Sequence, residues 1–306
     1  MTLDPQAVTI GFVGLGNMGV PMATRLAAAG FRLLVHDINA GALSAFVAAV
    51  PAATAAAPVE MAAKADVMVT MLPTGAIVRD FLFQPSPDSA APADAMPPGT
   101  IVVDMSSSEP VGTRETGALL ADRGIHMIDA PVSGGVTRAR AGTLAVLVGG
   151  EEEIVERLRP LFAAMCGPLI HVGGLGAGHA MKALNNFVSA AGLTAACEAL
   201  RVAERFGIDG QRAVDALNAS SGRNNSTETK LSQFVLSGTY GSGFTAGLMK
   251  KDLGIALGLI DALHIDAPLA HAFVPIWSDL TETIGPGADH TEIAKAITDR
   301  TAKKTS

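Results

Sequence analysis

A strand-like run that ends on three spaced glycines constrains this chain more than any other feature. Residues 8–13 (Val-Thr-Ile-Gly-Phe-Val) read as a buried strand, and Gly14-Leu15-Gly16-Asn17-Met18-Gly19 follows without a gap. Residues 21–29 have helical composition and stop at Gly30, and residues 32–37 are the next strand-like run. Parallel neighbouring strands need a crossover of this kind, so the opening is one βαβ unit. The alternation continues through 65–71, 100–104, 125–130 and 144–149. Six such runs with helical segments between them predict a doubly wound sheet. Residues 84–98, rich in Pro and Ala, are expected as a surface loop.

After about residue 165 the strand signals stop. Residues 178–206 read as one continuous helix of about 43 Å at 1.5 Å per residue. Further helices are expected at 209–219, 225–237, 245–263, 267–284 and 290–303, between turns at Gly207, Gly222, Gly241, Pro268 and Gly285-Pro286-Gly287. The expected fold class is therefore α/β then all-α. A Rossmann dinucleotide-binding domain (1–166) precedes an all-helical dimerisation and substrate domain (167–306) that begins with the long interdomain helix. That helix carries no charged residue from 183 to 197, so the helical half is expected to pack against a second copy.

Charge and composition exclude several classes. The net charge is −7 with no basic cluster, which argues against a nucleic-acid partner. Cys166 and Cys197 make no disulfide framework, read as buried free thiols, and suit a reducing compartment. No spacing of His, Cys, Asp or Glu suggests a metal. The uncharged run 183–197 is too short and too polar to span a bilayer, and no export signal is evident. A cytoplasmic protein with no membrane partner is the expectation.

The glycines carry the first chemistry. Gly14 permits a tight turn, Gly16 lets a pyrophosphate approach bare backbone N–H groups, and Gly19 allows close helix–strand packing. Leu15, Asn17 and Met18 complete the loop. Asp37, ending the second strand, is placed to bind the adenosine ribose and repel a 2′-phosphate, which favours NAD over NADP. Met71-Leu72-Pro73 and Ser106 follow later strands, where open sheets present their ligands, and are expected near the nicotinamide half. In Asp129-Ala130-Pro131-Val132-Ser133-Gly134-Gly135, the Ser133 hydroxyl and the N–H groups of Gly134 and Gly135 suit an anion such as a carboxylate; an ordinary glycine turn explains them equally well.

Lys182 stands in Gly176-x-Gly178-x-x-x-Lys182-x-x-x-Asn186 at the head of the uncharged run 183–197. A lysine is usually a solvated charge. Here apolar flanks, Asn186 one turn on, and a first-turn position where the macrodipole disfavours a cation all favour a chemical role. In Phe244-x-x-x-Leu248-x-Lys250-Lys251-Asp252-Leu253, Lys250 fits a solvated face that Lys251 and Asp252 cannot easily share. Met18, Ser107, Val132, Phe244, Leu248 and parts of 223–234 are expected at the substrate's distal end, and the polar stretch 220–226 either contacts a polar substrate or is a solvated turn.

Together these motifs resemble the β-hydroxyacid dehydrogenase family, over nearly the whole chain and in the family's order. The resemblance implies that Lys182 is catalytic with Asn186 as its helper, and that Ser133, Gly134 and Gly135 take the carboxylate of a small substrate. It also implies that Lys251 serves both substrate and cofactor, that Ser106 touches the nicotinamide side, and that the protein is a homodimer or homotetramer. The 6-phosphogluconate dehydrogenases are far longer and have histidine where Asn185 stands; imine reductases usually carry Asp or Tyr in place of Lys182. The implied activity is NAD-dependent, reversible oxidation of a 3-hydroxyisobutyrate-like acid. Reduction of a small aldehyde acid (tartronate semialdehyde, succinic semialdehyde or glyoxylate) uses the same residues, and a non-catalytic NAD-binding sensor is the remaining alternative.

Overall fold

The structure, a computed structural model, describes residues 3–85 and 89–304, with side chains through 298. It divides into two compact units, Met1–Lys182 and Ala183–Ser306. The domain boundary expected at 166 falls later because the residues after it form a strand.

In the first unit the strands are β1 (Thr9–Val13), β2 (Arg32–His36), β3 (Ala53–Ala55), β4 (Val67–Thr70), β5 (Ile101–Asp104), β6 (His126–Asp129), β7 (Val132–Ser133), β8 (Leu144–Gly149) and β9 (Cys166–Gly173). They form one sheet in the order β3-β2-β1-β4-β5-β6-β8-β7, with β9 also on β8. The first six pair in parallel; β8 is antiparallel to β6 and β7 and parallel to β9. The chain reverses direction across the sheet between β1 and β4, the switch point at which such sheets bind ligands. β1, β4 and β5 are buried along their whole length, because helices cover both faces. One face packs Ile10, Phe12, Met22 and Leu26, the other Met61, Met68, Val78 and Leu82. Each such side chain contributes roughly 1.5–3 kcal/mol through burial.

Three strands depart from the expectation. β3 and β7 are three and two residues long. β9 contains Gly167 and Pro168 and is exposed at about half its positions, so backbone pairing with β8 holds it rather than an apolar run. The expected surface loop 84–98 is corrected too. Residues 86–88 lie outside the described residues, but Pro92–Ala95 is a short helix that buries Ala93, and Met96 after it also joins the core.

The long helix runs from Ala177 to Phe206, about 45 Å. It is followed by helices Gly210–Asn218, Asn225–Thr229, Ala246–Ala262, Pro268–Ile284 and Ile293–Lys304. The single helix expected over 225–237 breaks at Lys230 into a π-helical turn, Leu231–Leu236. In the second unit Leu193, Leu200, Leu253, Phe273, Trp277 and Ile293 form the core. Both cysteines are buried free thiols, each pushed by burial up to about 12.

His290 pins the loop that precedes Ala246–Ala262. Its Nδ1 lies 3.0 Å from the Phe244 carbonyl and 2.9 Å from Ser242 Oγ, and Asp289 accepts from Ser242 and from the Gly243 N–H. Burial, and then the charge of Lys230, push the His290 pKa down to about 4 against the pull of Asp289 and the Phe244 carbonyl. A base with a depressed folded pKa stabilises the fold above its unfolded value, and that contribution is lost as pH falls through the folded one. The expected loss between pH 7 and 4 is about 3 kcal/mol. Thermal melts over this range should show a shallower acid slope for His290→Gln than for the parent; parallel slopes would refute it.

Candidate active site

Each unit carries part of the expected constellation. In the first, the loop after β1 fits a dinucleotide. Gly14 has φ of +100°, and a Cβ there would stand 2.3 Å from the Met71 carbonyl oxygen. A Cβ on Gly19 would stand 1.8 Å from the Gly14 carbonyl oxygen, so only glycine lets the helix Gly19–Ala28 start against the strand. At Gly16, by contrast, a Cβ would meet nothing within 4 Å: this is open backbone where a phosphate can approach. Leu15, Asn17 and Met18 occupy the loop between them. Asp37 Oδ2 accepts from Leu15 N–H at 2.6 Å and Oδ1 from Asn39 N–H at 2.7 Å, which ties the end of β2 to the loop.

Met71, Leu72 and Pro73 follow β4, and Ser106 lies two residues beyond β5. Ser106 Oγ accepts from the Leu72 N–H at 2.9 Å, which locks the two strand ends together. Ser133 closes β7, and Gly134 (φ +132°) and Gly135 (φ +69°) lead into Gly135–Ala141. Gly134 is exposed, while Ser133 and Gly135 are half-buried.

Beneath these loops lies a buried polar cluster that the residue pattern did not reveal. Asp129 Oδ1 accepts from the Gly176 N–H at 2.7 Å, and Oδ2 from the His179 N–H at 2.6 Å. The carboxylate thus satisfies donors at the start of the long helix from a strand 47 residues earlier. Gly178 permits this approach, since a Cβ there would press on the Leu147 and Asp129 carbonyls at 2.4 and 2.9 Å. The His179 ring contacts Thr113 Oγ1 through Nδ1 at 2.8 Å and donates from Nε2 to the Ser106 carbonyl at 3.1 Å. Asp104 takes Thr70, the Ser106 N–H and Ser108 at 2.9, 3.0 and 2.7 Å, and its Oδ2 lies 3.7 Å from His179 Nε2. Burial raises the Asp129 pKa above the usual carboxylate range, and the nearby His179 opposes it.

Three residues on from His179 stands Lys182, only 8% exposed. The helix starts at Ala177, which places Lys182 in its second turn rather than its first. The macrodipole argument weakens accordingly.

In the second unit, buried Asn186 donates through Nδ2 to Asp252 Oδ2 at 2.6 Å, and its Oδ1 accepts from Asn185 at 3.2 Å. Asp252, 3% exposed, is therefore the residue that fixes the amide. Its neighbour Lys251 is half-buried, whereas Lys250 pairs with Glu282 in solvent. Phe244 stacks edge-on against His290, and Leu248 is exposed.

Known proteins match the chain along most of its length. Residues 9–173 match the model of the NAD-binding domain of 6-phosphogluconate dehydrogenase. Residues 176–297 match the model of the NAD-binding domain of NADP-dependent 3-hydroxyisobutyrate dehydrogenase. A probable 3-hydroxyisobutyrate dehydrogenase of Mycobacterium bovis is 37% identical over 291 residues, covering 93% of this chain and 94% of its own. The 2-(hydroxymethyl)glutarate dehydrogenase of Eubacterium barkeri is 36% identical over 255 residues, 82% of either chain. The solved Mycobacterium tuberculosis 3-hydroxyisobutyrate dehydrogenase with L-serine superposes with a TM-score of 0.86 at 35% identity, over 95% of this chain and 99% of that one. Glycine loop, sheet order, helical second unit and these matches agree: the chain belongs to the β-hydroxyacid dehydrogenase family, oxidoreductases that use a nicotinamide dinucleotide on the CH–OH group of hydroxyacids.

Proposed function

We propose that the chain catalyses reversible, NAD-dependent oxidation of a small 3-hydroxyisobutyrate-like acid, with Lys182 as general acid/base. The observation that carries this reading is a buried lysine that heads a run free of charged residues from 183 to 197, one turn before an amide whose orientation Asp252 fixes. The dinucleotide, when bound, accepts or returns a hydride. Neutral Lys182 takes the substrate hydroxyl proton at Nζ during oxidation, and its ammonium returns one during reduction. Asn186, with one amide N–H committed to Asp252, has its second N–H for the substrate oxygen. Ser133 Oγ and the N–H groups of Gly134 and Gly135 hold the carboxylate, which supplies orientation rather than chemistry. Lys251 neutralises charge on the substrate and cofactor.

A homodimer or homotetramer is part of the same reading. Asn185, Val188, Gly192, Ala195, Ala199, Val202 and Phe206 recur at alternating steps of three and four along the long helix. Val188, Val202 and Phe206 are 67, 69 and 83% exposed. A seam of apolar and small residues at this spacing suits a second helix of the same kind.

Asp37 favours NAD, because its carboxylate at the end of β2 would repel a 2′-phosphate. Initial rates in both directions over a panel of C3 to C5 hydroxyacids and aldehyde acids, including hydroxyisobutyrate, glycerate and threonate, test the whole reading. The parent should prefer NAD, and Asp37→Ala should narrow the NAD/NADP ratio about tenfold, an effect of the size that a local charge exerts. Unchanged selectivity would move the discrimination to His36 or Asn39. Tight NAD binding with no turnover of any acid would leave the sensor reading in its place.

A further inference from the structure

The helical unit holds a lysine that the hydride-transfer reading does not use. Lys230 ends the helix Asn225–Thr229 and opens the π-helical turn; its carbonyl accepts from Phe234 N–H at 2.9 Å and Val235 N–H at 3.3 Å. Turns of this width are rare and occur frequently at functional sites. Here the side chain turns toward the long helix, where Lys230 Nζ donates to Ser189 Oγ at 3.2 Å. Ser189 follows Lys182 by seven residues and Asn186 by three. At 3.6 residues per turn all three lie on one face, with Ser189 about 10 Å along from Lys182 and about 4.5 Å from Asn186.

Among the described residues the hydrogen-bond partner of Lys230 Nζ is thus a neutral hydroxyl, not a carboxylate. Its acidic neighbour, Asp289, already accepts from Ser242, Gly243 and Thr291. Burial draws the Lys230 pKa below the usual lysine value, with Asp289 and Cys197 opposing it. A partly buried ammonium facing a hydroxyl gains most from a ligand that brings its own negative charge.

We infer that Lys230 and Ser189 receive the distal end of the substrate, and that this end carries an anion, a second carboxylate being the class that fits. The inference rests on the hydroxyacid reading for what happens at the other end of that molecule. The distal carboxylate takes no part in the chemistry; hydride and proton still leave the CH–OH group for the dinucleotide and Lys182.

Three acids of the form HOCH2–CH(R)–COO⁻ isolate the effect. In 3-hydroxyisobutyrate R is methyl, in 2-(hydroxymethyl)pentanoate it is propyl, and in 2-(hydroxymethyl)glutarate it is carboxyethyl. The parent should prefer the carboxyethyl acid over the propyl acid by about 30-fold in kcat/KM, chiefly through KM, as expected for a desolvated charge pair. Lys230→Met should collapse that ratio to within a few-fold, and Lys230→Arg should keep most of it. A ratio that Lys230→Met leaves intact, or a parent that favours the propyl acid, overturns the proposal. Calorimetric titration of 2-methylglutarate, which cannot react, into the protein with NADH separates this site from the reaction. Binding that weakens about tenfold in Lys230→Met supports the subsite even if no acid is turned over, in which case only the reaction reading has failed. Unaltered binding overturns the subsite while turnover stands. NADH affinity and thermal melts verify that the Met variant folds; if it does not, Ser189→Ala and Lys230→Arg carry the same comparison.

Discussion

Lys182→Ala is expected to lower kcat by about three orders of magnitude while NAD affinity stays within a few-fold of the parent. A positioned proton acceptor contributes about 10²- to 10⁴-fold, and Lys182, 8% exposed, has little bulk water beside it to act as a substitute base. The cofactor loop lies after β1 and is untouched by the change, so fluorescence titration of NADH should separate loss of chemistry from loss of binding. Lys182→Arg sharpens the test. Arginine keeps the positive charge and much of the volume but cannot give up its proton in a protein. If the lysine only stabilised charge, the Arg variant would retain much of the activity. If it exchanges a proton, Arg should be almost as impaired as Ala in the oxidation direction. Near-normal turnover of the true substrate by Lys182→Ala would remove the residue from the mechanism.

The parts of this protein that the sequence announces are those fixed by local sterics. Gly14 and Gly19 are legible because each meets a backbone carbonyl that a Cβ would crowd, so this backbone demands glycine at both. The strands β1, β4 and β5 are legible because burial on both faces leaves a continuous apolar run. β9 lacks that signature, since a strand held by edge pairing need not be apolar. His179 was silent for a different reason. Its partners Thr113 and Ser106 are 66 and 73 residues away, and nothing local to a histidine in a helix indicates them. Lys230 was half legible: it falls in the stretch 223–234 expected near the substrate's distal end, but a lysine inside one continuous helix looks solvated until the π-helical turn sets its direction. Lys182 could be found because its apolar surroundings are its own sequence neighbours.

Asp129→Ala is expected to destabilise the first unit strongly, lowering Tm by roughly 10 °C. The carboxylate is fully buried and accepts two backbone N–H groups at the head of the long helix, from Gly176 and His179. Removing it strands both donors, at about 1–3 kcal/mol each, and leaves a cavity beside the His179 ring. A loss of that size corresponds to about 2–4 °C per kcal/mol for a unit of this length. Asp129→Asn should cost less, since one carbonyl oxygen can still accept while the amide N–H2 faces the second donor. The titration has a definite sign. The folded pKa of Asp129 is raised, so its contribution is full below the unfolded carboxylate value and declines as pH rises through the folded one. The gap in Tm between parent and Asp129→Asn should therefore be widest in acid and narrow toward neutrality. The clasp also bears on catalysis, because the His179 ring joins the start of the Lys182 helix to Ser106, whose hydroxyl holds the Leu72 backbone. Asp129→Asn, measured well below its melting temperature, should lower kcat more than it raises KM, since the loosened element is the one that carries Lys182. Full kcat in a variant with a markedly lowered Tm would show that the clasp serves folding alone.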